Sequence, residues 1–309
     1  MRILLTGASG MVGRNLIEKE EIKRFEVLTP SRKELNLFYF EDVKKYLNKN
    51  KPDLIVHAAG RVGGIQTNKD KPLTFLVENL DIGRNIVIAA YEVGIKKMIN
   101  IGSSNIYPEN MQNPLKEEYL LQGPLDKATE GYAIAKITTL KLCEYINLQN
   151  NGFSYKTLIP CNLYGKWDKF DAITSHMIPA VIRRIHQAKR ENKEEVVIWG
   201  DGNARREYLY VEDFIDALFL AIKEFDRIPT MLNIGLGFDY SMNDYYQAIA
   251  EIINYNGSFA YDLTKPVGVK RKLLDINRQI EWGWTAKTSL HDGVRKTYEY
   301  FLTSGGDIT

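Results

Sequence analysis

Cysteine is nearly absent: the 309 residues contain only Cys143 and Cys161. Two thiols cannot make the framework of a disulfide-stapled secreted fold, and a reducing compartment is expected. Neither sign of charge is in excess, with 41 Lys and Arg against 39 Asp and Glu and a formal net charge of +2. The charges are spread rather than run together, which gives no nucleic-acid or membrane preference. There is no unbroken apolar run of membrane length, and Ile3-Leu4-Leu5 is too short for a signal peptide. Internal repeats and low-complexity segments are missing as well. These absences leave a soluble, cytoplasmic protein as the expectation. At roughly 100–200 residues per domain, the length suggests two domains, or one large fold with an appended part. It is enough to bury a core without staples.

Short apolar runs alternate with amphipathic ones through the first half. Residues 2–7 (RILLTG), 25–30 (FEVLTP), 53–60 (DLIVHAAG), 97–104 (KMINIGSS) and 155–165 (YKTLIPCNLYG) have strand length and end in small or turn residues. Helical patterns lie between them, notably over 72–93 and 132–150. Strands alternating with helices predict an α/β fold, a doubly wound parallel sheet of Rossmann type, with ligands bound beyond the carboxyl ends of the strands. After Gly165 the regularity breaks. VVIWGDG (196–202) is a further strand and turn, followed from Met242 by a helix, a lysine-rich segment (265–272) and a last helix near 289–302. The expected division is a nucleotide-binding domain of 1–165 plus roughly 208–240, and a smaller α/β substrate domain of 166–207 and 241–309.

TGASGMVG places Gly7, Gly10 and Gly13 between the first strand and a helix that opens with Met11 and Val12. Glycines there permit a tight turn and let backbone N–H groups approach a pyrophosphate at the helix N-terminus. The second strand ends Thr29-Pro30-Ser31-Arg32, with no acid to hold the ribose hydroxyls as an NAD site would. A guanidinium at Arg32 suits a 2′-phosphate, so NADPH is the expected cofactor.

GYAIAK (131–136) sets Tyr132 and Lys136 four residues apart, on one helix face. A phenol with its ordinary pKa of ~10 exchanges protons poorly at neutral pH, and a nearby ammonium is expected to lower it. Such a pair is common by chance. Its meaning comes from the glycine loop upstream and from Ser103 at the end of the fourth strand, whose hydroxyl can hold the oxygen that Tyr132 protonates.

Together these segments resemble the extended short-chain dehydrogenase/reductases, and within them the GDP-L-fucose synthase family, over nearly the whole chain. The resemblance is carried by GMVG (10–13), RKELNL (32–37), AAGRVGGI (58–65), GSSNIYP (102–108), YAIAKITTLKLCE (132–144), NLYG (162–165), SHMIPAVIRR (175–184), VVIWGDG (196–202), RREYLYVEDF (205–214) and KPVGVKRKLLD (265–275). It implies NADP as cofactor, a homodimer, and a role in nucleotide-sugar biosynthesis for surface polysaccharide. It also implies that Ser103, Tyr132 and Lys136 serve C4 reduction and that His176 serves C3/C5 epimerisation. Ala58, Ala59, Asn162, Leu163 and His176 would line the cofactor together with the glycine loop, Tyr132 and Lys136. Ser103, Ser104, Arg184, Trp199, Arg206 and Lys272 would take the GDP-linked sugar, and no metal is expected.

Two departures stand out. Ala8-Ser9 occupies the stretch where the family commonly has a basic residue near the cofactor phosphate, which leaves Arg32 to argue for NADPH. Asn105 occupies the place of the family's epimerase cysteine. An amide has donors and acceptors but no usable titration, so it cannot replace a thiol in proton transfer. The expectation is a C4 reductase of a GDP-linked 4-keto-6-deoxy sugar, hexose or heptose, with the 3,5-epimerase activity lost. The alternative is a bifunctional enzyme in which His176 and another group carry the epimerisation. A non-catalytic nucleotide-sugar-binding protein is a third reading, opposed by the intact Ser103, Tyr132 and Lys136.

Overall fold

A computed structural model describes residues 1–171, 174–265 and 267–304. Five parallel strands are Arg2–Thr6 (β1), Glu26–Leu28 (β2), Leu54–His57 (β3), Lys97–Ile101 (β4) and Ser154–Pro160 (β5). A sixth, Met231–Ile234, completes the sheet, whose order is Met231–Ile234, β5, β4, β3, β1, β2. The pairings along it are all parallel. β3 is buried on both faces, as its continuous apolar run demands. Helices Met11–Glu18, Phe40–Asn50, Pro72–Val93 and Glu130–Gln149 lie between the strands. One apolar cluster joins Leu5, Val56, Ile99 and Leu158 to Phe214 and Leu218 of the Val211–Lys223 helix. Another packs Leu4, Ile55 and Met98 against Val43, Ile86 and Tyr155. The sheet is thus covered on both faces, the Rossmann-type arrangement that the alternation predicts.

The 155–165 run divides in two. β5 stops at Pro160, and Asn162–Tyr164 leaves the sheet to pair in parallel with Tyr208–Tyr210. Cys161 sits at the break rather than inside a strand. A separate core of Ile178, Ile182, Ile198, Tyr245, Ile249 and Phe301 holds the smaller α/β part together. That part contains the helices Met177–Arg190, Met242–Ile253 and Leu290–Thr303, and the parallel pair Glu195–Trp199 with Ser258–Asp262. A second small sheet orders Tyr240–Ser241, Arg205–Arg206 and Arg271–Lys272 side by side. No helix among the described residues is long and apolar enough to cross a membrane.

Candidate active site

The glycine loop is pressed against the end of β3. Gly7 has φ +73°, and a Cβ there would stand 2.7 Å from the backbone of Ala58 and Ala59. Gly13 admits no Cβ either, which would lie 2.4 Å from the Gly7 carbonyl oxygen. Gly10 caps the Met11–Glu18 helix. The first-turn N–H groups of Met11, Val12 and Gly13 have no intrahelical carbonyl to bond, so they form an anion cradle. Thr6 ties loop to strand: its Oγ1 bonds His57 Nδ1 at 2.8 Å and accepts from the Ala59 N–H at 3.3 Å. Burial and the charge of Lys136 push the His57 pKa down to about 3, so this imidazole is neutral. This cradle fits a dinucleotide. Arg32 is exposed, its guanidinium 5.1 Å from the Phe38 ring centroid. Sequence reasoning missed Arg14. Its Nε donates to the Ser9 carbonyl at 2.9 Å and its guanidinium lies 4.3 Å from the Trp167 ring centroid. A cation therefore stands against the loop although Ala8 and Ser9 carry none.

Ser103 follows β4 and caps a short turn, Ser104–Ile106, by accepting the Asn105 backbone N–H at 3.3 Å. The Glu130–Gln149 helix carries Tyr132 and Lys136, both buried. Lys136 Nζ donates to the Ile101 carbonyl at 2.9 Å and lies 5.9 Å from the Tyr132 ring centroid. Burial pushes the Tyr132 phenol up to about 12, and only its hydrogen bond with Ser103 opposes this. The net lowering expected from Lys136 is not found: burial dominates at the phenol, and the ammonium, bonded to the Ile101 carbonyl, lies 5.9 Å from the ring centroid. Burial holds Lys136 itself down at about 8. Tyr132 is therefore a protonated phenol at neutral pH, set to donate.

The segment after β3 spans the site. A Cβ at Gly60 would come 3.7 Å from Lys136 Nζ, and one at Gly64 would come 3.0 Å from the Ser175 carbonyl oxygen. His176, at the cap of the Met177–Arg190 helix, has Nδ1 3.6 Å from Asp168 Oδ1. This Nδ1 and Asp168 Oδ2 are buried without a hydrogen-bond partner among the described residues. Asn162 donates to the Glu207 carbonyl at 3.2 Å, and Leu163 packs on the sheet core. The buried thiols of Cys143 and Cys161 are both pushed upward by burial, which leaves neither as a proton-exchanging group.

The substrate-side cations stand on the small sheets. Arg206 and Lys272 are paired in register, and Arg206 Nη2 donates to the Val267 carbonyl at 2.8 Å. Burial lowers the pKa of each, to about 8 for Lys272, where the charge of Arg206 adds to the effect. Two carboxylates that sequence reasoning passed over hold this frame. Asp239 bonds Arg205 Nε at 2.7 Å and also takes the Arg271 Nε. Buried Glu207 accepts the N–H groups of Leu236, Gly237 and Leu274. Arg184 donates to the Val197 carbonyl at 2.8 Å, two residues before Trp199, which is 44 % exposed. Ser104 is buried beneath the turn. The only sequence signal for Glu207 was its place directly after Arg205 and Arg206, and Asp239 had none.

A Rossmann-type sheet with a nucleotide cradle at one strand end and a Ser, Tyr and Lys group at another defines a dinucleotide-dependent class. Residues 3–235 match the model of the NAD dependent epimerase/dehydratase family, and the chain belongs to that family. It is 51 % identical over 302 residues to the GDP-L-colitose synthase of Yersinia pseudotuberculosis, covering 98 % of each chain. It is 43 % identical to the GDP-L-fucose synthase of Azorhizobium caulinodans, covering 98 % of this chain and 96 % of that one. Among solved structures it is similar to a GDP-mannoheptose C4 reductase from Campylobacter jejuni with NADP bound. The TM-score is 0.87 and the identity 31 %, with 97 % of this chain and 98 % of that one covered.

Proposed function

We propose that this protein is a cytoplasmic, NADPH-dependent C4 reductase of a GDP-linked 4-keto-6-deoxy sugar, hexose or heptose, that has lost 3,5-epimerase activity. The product would serve surface-polysaccharide synthesis. Residues 1–165 with roughly 208–240 would hold the cofactor, and 166–207 with 241–309 the nucleotide sugar. The observation that carries the reading is an asymmetry within one turn. Ser103 reaches the protonated Tyr132, whereas Asn105 beside it meets an amine at the place of the epimerase thiol. NADPH, when bound, supplies the hydride to C4.

The chain's own residues do the rest. Ser103 Oγ holds the substrate oxygen, Tyr132 gives its proton to the new alkoxide, and Lys136 supplies a positive field that eases formation of the phenolate. The cradle of Gly7, Gly10 and Gly13 takes the pyrophosphate, and Arg32 the 2′-phosphate. Arg206 and Lys272 pair with the sugar diphosphate, and Trp199 offers the guanine a flat face beside Arg184.

The active form in this reading is a homodimer. Leu73 and Val77 on one helix, and Ile134, Tyr145 and Leu148 on the helix packed against it, are exposed apolar residues at helical spacing.

One observation favours the bifunctional alternative: His176 stands beside Asp168 with a buried Nδ1 that has no hydrogen-bond partner among the described residues. Turnover with NADPH in heavy water decides between them. The product is expected to carry solvent deuterium at neither C3 nor C5, and incorporation at the rate of reduction would establish the alternative.

A further inference from the structure

Asn105 Oδ1 lies 2.7 Å from Lys272 Nζ. A lysine amine in such a contact can only donate, so the amide oxygen faces Lys272 and the amide NH2 is turned the opposite way. The assignment of O and N, arbitrary for many asparagines, is forced here by the partner. Asn105 is held from a second side by its own N–H on Ser103 Oγ, one hydrogen bond from Tyr132.

Lys272 stands on a braced strand. Its neighbour Arg271 is gripped with Arg205 by the buried Asp239, and the Leu274 N–H is taken by Glu207 at 2.9 Å. Alternation along a strand sends Arg271 to one face, toward Asp239, and Lys272 to the other, toward Asn105. The backbone is thus held at both ends of the contact, by Ser103 at Asn105 and by the braced strand at Lys272.

We propose that Asn105 is a substrate-recognition residue whose amide, oriented by Lys272, donates from its NH2 group to a sugar oxygen beside the reacting carbon. The oxygen is either the hydroxyl at C3 or the carbonyl at C4. This rests on the reading above that the substrate is a GDP-linked 4-keto sugar. With its oxygen turned to Lys272, the side chain presents its donors to the other side. It selects a sugar that presents an oxygen lone pair there, because an NH2 enclosed by the bound substrate and left unpaired is costly. Lys272 is the positioning residue of the pair, in addition to its charge toward the diphosphate.

A double-mutant cycle tests this on the full-length protein with NADPH, using a GDP-linked 4-keto-6-deoxy hexose and its 3-deoxy analogue. Asn105→Ala is expected to lower kcat/KM roughly tenfold, the worth of about one buried hydrogen bond, with the KM for NADPH unchanged. In the Lys272→Met background the same change should cost less than about threefold, because the amide is already free to turn. A loss confined to the 3-hydroxy sugar assigns the donor to the C3 hydroxyl, and an equal loss on both sugars assigns it to the C4 oxygen. Additive losses, or no loss from Asn105→Ala, in an enzyme that reduces these sugars would overturn the proposal alone. A wild-type protein that reduces neither sugar would overturn the functional reading with it.

Discussion

Replacing Lys136 with methionine should make the cofactor-free protein more stable while nearly abolishing turnover. The ammonium is buried, and burial depresses its pKa from 10.5 to about 8. Each pKa unit is worth about 1.4 kcal/mol, so keeping the lysine charged in the fold costs about 3 kcal/mol at neutral pH. Methionine has similar length and no charge to desolvate. It loses the bond to the Ile101 carbonyl, and that unpaired acceptor costs about 1–2 kcal/mol. The net gain is about 1–2 kcal/mol, or roughly 1.5–3 °C in Tm for a chain of this length. The sign of the pH dependence follows from linkage. Below about pH 8 the native lysine is protonated and the full penalty applies. Between about 8 and 10.5 the unfolded chain binds more protons than the native one, so wild-type stability rises with pH and the advantage of Lys136→Met shrinks. Paired thermal unfolding of both proteins at pH 7 and pH 10 measures the difference directly, and kcat at pH 7 should fall by roughly two to four orders of magnitude. A variant less stable than wild type at pH 7, or a stability difference that does not change with pH, would refute the reasoning.

Glu207 is held up at about 7 by burial despite three backbone donors, so this group makes wild-type stability fall as pH rises from about 4.5 to 7. Glu207→Gln removes that slope, and since one amide arm must then face an N–H, it lowers stability by about 1–3 kcal/mol; urea unfolding across this pH range reads both effects. Arg32→Ala should reduce the preference for NADPH over NADH by roughly tenfold in kcat/KM, in line with one lost charge-assisted phosphate contact, and leave NADH kinetics unchanged. If the proposed homodimer forms through this face, Ile134→Glu with Leu148→Glu, both exposed on one helix face, should give a monomer in sedimentation where the wild type sediments as a dimer.

The parts of the fold legible in the sequence are those whose signal is local. β1, β3 and β4 are short apolar runs that end in turn residues, and Pro72–Val93 matches its sequence pattern end to end because it opens with a proline and closes on Gly94 in the left-handed conformation. The glycine loop is equally local as a signal, three glycines between strand and helix, although the approach that excludes a side chain at Gly7 is to the distant Ala58. Met231–Ile234, as short as β3, was not named as a strand and is fixed by its parallel pairing with β5, more than seventy residues earlier. Asn162–Tyr164 was read as a continuation of β5, because its partner, Tyr208–Tyr210, lies more than forty residues on.

The same distinction governs the site. Ser103, Tyr132 and Lys136 could be named from spacing, but the state of the phenol could not. It depends on the burial that raises it and the Ser103 hydrogen bond that opposes this, and spacing carries neither. Asp239 and Glu207 look like ordinary acids in a charged sequence until the small sheet brings Arg205 against Arg271 and Leu274 against Glu207. Position 105 shows the limit most clearly. The change from thiol to amide was visible as a loss of proton-exchange capacity. What the amide presents instead is decided by a lysine 167 residues away, because only a donor on one side fixes which end of the amide is left for the other. The chemistry of that residue therefore belongs to the pair, and a substitution at 272 should alter the sugar preference written at 105.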